Sequence, residues 1–583
     1  MSKATDANTG VFRLTVVIVS VSAAVLVLLW RGIDLHVLNK DFLQHQGDAR
    51  YLRVVPIAAH RGMIRDRNGE PLAISTPVDS VWVQPQEFID AHGHWSALAA
   101  LLDMQVSQLQ HLVLPRKDKE FVYIKRHIAP DLAEKVMALK IPGVSLQREY
   151  HRYYPAGEVA AHVLGFTNVD DAGQEGLELA YNDWLEGTSG SQRVLKDRLG
   201  QVVKNIELIE SPQPGKDLTL SIDRRLQYLS YRELKRAVIQ HKAKSGSAVI
   251  LDARNGEVLA MVNQPSYNPN NREQLRGSHY RNRAVTDVFE PGSTMKPFTV
   301  AAALESGKYR PQTMIDTSPG YYQVGRFTIR DIRNYGRISV STVIQKSSNV
   351  GASKMALAIS EDRLWNGYAK MGFGNITGSG FPGESSGVFT RNTNWRNIER
   401  ATLAYGYGMS VTPLQLARAY TVLASDGRLL PVSFTKTESQ LKAPQVLKPG
   451  IVKDVRQMLQ LVIEKEGTGS KAAISGYHVA GKTGTMKKAS AGGYSDHKYI
   501  SVFAGMAPVN DPRFVMVVMI NEPHGDVYYG GEVAAPVFSS VMSGALRMMD
   551  ITPDAIDDSK IHLASLSHPG SGKPGLNYAG VSR

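Results

Sequence analysis

The chain has no cysteine in 583 residues. That absence removes disulfides, thiolate nucleophiles and thiolate metal sites together. Zinc-finger spacing, an aromatic-glycine RNA-binding signature and dense Lys/Arg blocks are also missing, so nucleic acid is not expected as a partner. Neither a metal nor an organic cofactor is expected. Acidic residues are the scarcer charge, 54 against 67 basic, for a net charge of +13. Such a balance suits either a solvated basic surface or an anionic partner: membrane headgroups, phosphate-bearing lipid precursors or an acidic polymer.

Long apolar runs are scarce too. A single one, the uncharged stretch Leu14–Trp30, extends to Val11 if Arg13 snorkels, and about 20 apolar residues suffice to cross a bilayer. After Trp30 comes Arg31-Gly-Ile-Asp34, without a small-x-small cleavage site. This favours an uncleaved anchor over residues 11–33 rather than a signal peptide or a buried helix. Lys3 and Arg13 precede the span while Arg31 and Lys40 follow it, so flanking charge does not set its orientation.

The length exceeds one compact core, and two soluble domains with appendages are expected. Asn68-Gly69 marks a hairpin turn. Trp95–Leu102 and Asp131–Leu139 read as helices, Phe121–Lys125 and Lys216–Ile222 as strands, and Asp223–Ile239 as a helix. From Ser245 the texture changes. Ala248–Leu251 and Val258–Val262 are apolar strands joined through Asn255-Gly256, and Tyr499–Ala507 pairs with Arg513–Ile520 around Asp511-Pro512. Gly531–Met549 closes as a helix. An antiparallel sheet made from both ends of this region, with helices inserted between, is the natural assembly. The stretch after Asp558 is rich in turn formers without periodicity and reads as disordered.

Three short peptides carry the chemistry: Ser293-Thr-Met-Lys296, Ser347-Ser-Asn349 and Lys482-Thr-Gly-Thr485. Pro291 and Gly292 place Ser293 near a helix N-terminus, where free N–H groups favour developing negative charge. Lys296 follows one turn later on the same face. It can take the serine proton only when neutral, a state that burial and a nearby cation promote. Ser-x-x-Lys alone is weak: it recurs at Ser433/Lys436, Ser439/Lys442 and Ser495/Lys498, read here as exposed polar positions. Ser266-Tyr-Asn268 likewise shows how cheaply Ser-x-Asn arises. Ser347 can relay a proton between Lys296, Lys482 and a leaving amine, while Asn349 can hold a substrate amide and steady Lys296. Strand periodicity puts Thr483 and Thr485 on one face with Gly484 between, so Lys482 and two hydroxyls make a socket for a terminal carboxylate. The N–H groups of Ser293 and Thr485 are candidates for an oxyanion hole.

The ordered triplet is a signature shared by penicillin-binding proteins and class A β-lactamases. The chain resembles the class B penicillin-binding transpeptidases, with counterparts of their pedestal at Arg61-Gly62, Asp66-Arg-Asn-Gly69, Arg152-Tyr-Tyr-Pro155 and Gly176-Leu-Glu178. Glu290-Pro-Gly-Ser-Thr-Met-Lys-Pro297, Ser347–Gly351 and Thr402-Leu-Ala-Tyr-Gly-Tyr-Gly408 look like the division-specific penicillin-binding protein 3 group of Gram-negative bacteria. The resemblance implies an α+β chain: a cytoplasmic tail (1–10), a transmembrane anchor (11–33), a non-catalytic pedestal of the dimerisation type (34–235), a transpeptidase domain (236–550) and a disordered tail (551–583). The transpeptidase domain would hold an antiparallel five-stranded sheet with helices on both faces and a helical subdomain. It implies a single-pass protein of the bacterial inner membrane with its catalytic domain in the periplasm. It further implies that Ser293 is acylated by the penultimate D-Ala of a peptidoglycan stem peptide, with Lys296, Ser347, Asn349 and Lys482 catalytic. Thr483, Gly484 and Thr485 would bind substrate, and Tyr405, Tyr407, Tyr528 and Tyr529 would line the cleft. β-Lactams would block Ser293, and a septal glycosyltransferase with other divisome membrane proteins would be partners. Alternatives are an elongation-type transpeptidase, a D-Ala carboxypeptidase or β-lactamase with water as acceptor, and a lactam-binding receptor without turnover.

Overall fold

The computed structural model describes residues 4–41, 52–196, 202–272, 277–391, 395–437, 443–490, 493–525 and 527–555. The expected disordered tail lies outside the described residues from position 556 onward, as do Ser439 and Lys442. The N-terminal helix Ala4–Ile33 contains a segment long and apolar enough to cross a membrane. None of that segment is buried against protein, which argues against a core helix.

The chain divides into two compact units, and the division interleaves in sequence. The first comprises Met1–Arg61, Ser75–His151 and Glu186–Gly215; the second comprises Gly62–Ile74, Arg152–Leu185 and Lys216–Arg583. In the first unit, Leu52–Ile57, Gly190–Lys196 and Val202–Glu210 form a three-stranded antiparallel sheet. A separate small core gathers around Phe88, Trp95, Leu98 and Val136. There Phe88 and Trp95 stack at 5.0 Å, and the Trp95 indole donates to the Phe88 carbonyl. The helices read at Trp95 and Asp131 appear as Trp95–Leu101 and Pro130–Ala138, and the strand at Phe121 as Val122–Ile128.

The second unit holds the central sheet, whose strands are numbered along the chain: β1 (Ser245–Asp252), β2 (Val258–Gln264), β3 (Ala480–Ser490), β4 (Gly493–Ala507) and β5 (Phe514–Asn521). Their order is β2-β1-β5-β4-β3, antiparallel throughout. Both ends of the region therefore meet in one sheet. All residues of β1 and β2 are buried. Successive side chains point to opposite faces, so continuous burial requires cover on both. Helices α1 (Arg224–Gln240), α5 (Pro413–Ala424) and α7 (Ala535–Met548) pack against the sheet. Between them in sequence come α2 (Lys296–Glu305), α3 (Val340–Lys346), α4 (Asn349–Ala358) and α6 (Pro449–Leu461). The closing helix is interrupted at Ala534, where Gly530–Val533 gives way to α7 with Pro536 in its first turn. The predicted strand Lys216–Ile222 shrinks to Leu218–Thr219.

Helix α1 starts on an Asp223 side-chain cap and runs through residues 235 and 236, where the sequence suggested a domain boundary. Several pedestal motifs stand in the same unit as the catalytic sheet. Asp66 accepts the N–H groups of Asn68, Glu70 and Arg224, while the Asn68 amide donates to Asp223. Gly69 takes the left-handed turn conformation, φ +91°, that Asn-Gly predicts. Arg152 and Glu178 form a fully buried pair at 2.6 Å. Breaking such a pair from one side leaves an uncompensated charge in a water-poor site. Glu178→Ala should therefore lower stability by about 3 kcal/mol, read as a fall in the thermal midpoint of the full-length protein in detergent. An unchanged midpoint would show that the pair contributes nothing.

Candidate active site

The turn before α2 is built on glycines that backbone proximity requires. Gly292 has φ +55°, and a Cβ there would lie 2.4 Å from the Met486 sulfur. Its N–H donates to the Gly406 carbonyl at 3.1 Å, and a Cβ on Gly406 would meet the Gly292 oxygen at 2.2 Å. The short 3-10 turn Gly292–Met295 then delivers Ser293 half-buried and Lys296 fully buried at the first residue of α2.

Lys296 Nζ lies within hydrogen-bond distance of four oxygens: Ser293 Oγ at 2.9 Å, Ser347 O at 2.6 Å, Ser347 Oγ at 3.0 Å and Asn349 Oδ1 at 2.8 Å. An ammonium donates three times and has no lone pair, whereas a neutral amine donates twice and can accept once. Only the neutral form can therefore take a proton from one of the two serine hydroxyls. Electrostatics favour that form. Burial, and then the nearby Lys482, hold the Lys296 pKa well below the ordinary lysine range, while Asp331 pulls weakly the other way. Burial alone brings Lys482 down to about 7. Lys482 Nζ reaches the same Ser347 hydroxyl at 2.9 Å, so one oxygen bridges two buried amines. Two charges so close and so dry repel strongly.

Ser347 caps the C-terminus of α3 in the left-handed region, with φ 60° and ψ 40°. A non-glycine residue held there stores backbone strain. The restraint comes from Asp331, which the sequence reading did not select. Its carboxylate accepts the Ser348 hydroxyl at 2.6 Å and the N–H groups of Asn349 and Val350 at 2.5 and 3.0 Å. Ser348 in turn caps α4 through the Gly351 N–H. An acid at a helix start is a readable signal. Here it sits 17 residues upstream of the serine it holds, beyond any local pattern.

Strand β3 lies at the sheet edge, pairing Lys482 with Ala504 and Thr485 with Ser501. A Cβ on Gly484 would come within 3.1 Å of Thr294 Cγ2 and 3.2 Å of the Pro291 carbonyl, so this strand passes close against the nucleophile turn. Thr483 shares a 2.9 Å hydrogen bond with Thr468, and Thr485 Oγ1 accepts the Gly530 N–H at 2.9 Å, leaving its own proton to donate. Thr468 was missed. Its only sequence signal is a polar residue between Gly467 and Gly469.

Ser293, Lys296, Ser347, Asn349 and Lys482 are thus joined by direct hydrogen bonds, with Thr483, Gly484 and Thr485 adjoining. The tyrosines form two pairs. Tyr405 and Tyr407 are half-buried with centroids 5.5 Å apart, flanking the Gly406 that touches Gly292. Burial pushes Tyr405 up to about 12. Tyr407 continues to Tyr494, whose hydroxyl donates to Glu290 at 3.0 Å; the same carboxylate oxygen accepts the Gly408 N–H. Tyr528 stacks between Tyr499 and Tyr529, just before the Gly530 that binds Thr485. Among the described residues no tyrosine side chain bonds to Ser293. Of the other Ser-x-x-Lys matches, Lys436 and Lys498 are exposed as expected. Ser433 and Ser495 are half-buried instead, and Ser433 is held by its own turn through Thr435.

A family model for the penicillin binding protein transpeptidase domain matches residues 246–543, and one for the penicillin-binding protein dimerisation domain matches residues 56–220. The chain is 46% identical over 534 residues to the peptidoglycan D,D-transpeptidase FtsI of Escherichia coli, covering 91% of this chain and 90% of that one. The apo transpeptidase domain of Burkholderia pseudomallei penicillin-binding protein 3 superposes with a TM-score of 0.54 at 42% identity, over 58% of this chain and 98% of that one. A peptidoglycan synthetase from Bifidobacterium adolescentis shares the fold over 87% of this chain and 98% of its own, with a TM-score of 0.68 at 23% identity.

Two outcomes follow from the geometry. Acylation of Ser293, followed by stopped-flow with a fluorescent penicillin, should hold its rate at pH values well below the ordinary lysine range and fall only toward the acid end, because burial and Lys482 depress the Lys296 pKa. A rate that already declines as the pH drops through the ordinary lysine range would refute a neutral lysine base. Asp331→Asn keeps the size but weakens three charge-assisted bonds, so it should slow acylation about tenfold, an effect of about 1.4 kcal/mol. Any movement of the acid limb should be toward lower pH, since the carboxylate charge that is lost holds the Lys296 pKa up. An acylation rate equal to wild type would show that Asp331 does not position the Ser347 junction.

Proposed function

Because this chain belongs to the penicillin-binding protein transpeptidase family, we propose that it is a D,D-transpeptidase that cross-links peptidoglycan stem peptides at the division septum. The observation that carries this reading is the buried amine of Lys296, bonded at once to Ser293, Ser347 and Asn349 and free of any carboxylate contact among the described residues. Lys296 takes the Ser293 proton as Oγ attacks the penultimate D-Ala carbonyl. The N–H groups of Ser293 and Thr485 hold the oxyanion. Ser347, bridging Lys296 and Lys482, passes a proton to the departing amine as the C–N bond breaks and terminal D-Ala leaves. An amine of a second stem then attacks the ester, gives up a proton along the same path, and restores the serine hydroxyl.

Lys482, Thr483 and Thr485 receive the terminal carboxylate of the donor, and Asn349 holds its amide. Gly484 keeps the strand close enough to do so. Tyr405, Tyr407, Tyr528 and Tyr529 line the cleft on its two sides. A β-lactam presents the same acyl group and carboxylate, and opens onto Ser293 without a leaving group that departs. The N-terminal helix is read as a single-pass anchor over residues 11–33 in the bacterial inner membrane. The pedestal (34–235) and transpeptidase domain (236–550) then lie in the periplasm, and glycan polymerisation comes from a septal glycosyltransferase and other divisome membrane partners.

Intact-mass analysis after benzylpenicillin should give one stable adduct, mapped by digestion to the peptide containing Ser293, and Ser293→Ala should give none. Rapid release of hydrolysed penicillin would convert the reading to a hydrolase. An adduct on another serine would end it.

A further inference from the structure

The segment leading to the Ser347 motif carries charge that the chemistry above does not use. Between Ser318 and Gln345 stand four arginines, Arg326, Arg330, Arg333 and Arg337, and a single acid, Asp331. That acid is committed to Ser348, Asn349 and Val350. All four arginines are exposed. Arg337 has Asp316 nearby, and Arg333 has Glu466, which Lys346 already pairs at 3.0 Å. Instead of carboxylates, three of the guanidiniums meet rings: Arg326 over Phe327 at 5.1 Å, Arg330 over Tyr321 at 5.7 Å and Arg333 over Tyr335 at 5.3 Å. Tyr321 and Phe327 belong to the hairpin of Tyr321–Val324 and Phe327–Arg330, and both are exposed. Ile332 is 84% exposed, an unusual state for an isoleucine beside a catalytic motif. This surface begins at the site itself, since the Arg330 carbonyl accepts the Asn349 side-chain amide at 3.1 Å.

We infer that this arginine-lined hairpin, together with Ile332, binds the acidic stem peptide of peptidoglycan through the free carboxylates it carries away from its reacting end. The inference rests on the transpeptidase reading and extends the donor or acceptor track beyond the Lys482–Thr485 socket. Guanidiniums placed over rings are restrained before binding and carry a planar fork of donors suited to carboxylates. An exposed apolar side chain among them offers contact for the peptide backbone and small side chains. Proximity to Asn349 favours substrate over a lipid surface.

The test uses the full-length protein in detergent and two synthetic stem pentapeptides ending in D-Ala-D-Ala, one with its glutamate carboxylate free and one with it amidated. Wild type should prefer the free acid in kcat/KM, mainly through KM, and added salt should erode that preference. Arg326→Gln with Arg333→Gln should cut the preference about fivefold, and the corresponding Lys double variant should restore part of it. A variant that keeps the wild-type preference, or a wild type indifferent to amidation or salt, would overturn the inference. So would salt-sensitive binding to anionic phospholipid vesicles that the Gln variant loses while its peptide preference stays intact, which would assign the patch to membrane. The wild-type comparison decides the matter even where a variant fails to fold. A benzylpenicillin adduct at Ser293 with no amidation effect removes this inference alone, whereas absence of the adduct removes the transpeptidase reading.

Discussion

A buried lysine amine with no carboxylate in contact among the described residues is the constraint on which the site depends. Burial of a cation is costly unless it is paired or loses its proton. Among the described residues the Lys296 amine bonds to hydroxyl, amide and carbonyl oxygens, and a second buried amine shares one of them. The protein thus provides a base by withholding a counter-ion. Everything nearby serves that condition: α2 fixes Lys296 at its first residue, the Ser347 junction closes over it, and β3 supplies the companion amine.

Holding three chain segments in one place demands rigidity that short loops do not have. The central sheet provides it by gathering β1 and β2 from one end of the domain and β3, β4 and β5 from the other. The Ser347 junction, which is not on the sheet, gets its rigidity from one carboxylate. Asp331 gathers a hydroxyl and two backbone N–H groups at the start of α4 and thereby sustains an unfavourable left-handed serine. Strain at the reacting group and charge-assisted restraint next to it go together.

Local chemistry made much of this legible before any coordinates. The Asn255-Gly256 hairpin, the apolar strands on either side and the triplet itself are short-range patterns with a physical period, and each reappears within a few residues of its expected bounds. Thr468 and Asp331 were not legible, because their significance lies in partners 15 and 17 residues away. Nor was the interleaving of the pedestal. Gly62–Ile74 and Arg152–Leu185 share a unit with the catalytic sheet, and that sharing rests on non-local contacts, such as the Asn282 amide on the His162 carbonyl and the Gln227 amide on the Val159 carbonyl, rather than on composition. In the sequence Glu290 reads only as context for the nucleophile. In the fold it ties the Gly408 turn to Tyr494.

Three glycines, Gly292, Gly406 and Gly484, let the nucleophile turn, the tyrosine turn and the edge strand touch through their backbones. Contacts of that kind offer antibiotic selection little room. A side chain at Gly406 collides with main chain and one at Gly292 with Met486, while one at Gly484 crowds Thr294 and the Pro291 carbonyl, so each presses on the turn that carries the serine. Substitutions that loosen lactam capture are then confined to side chains that do not carry these backbone contacts.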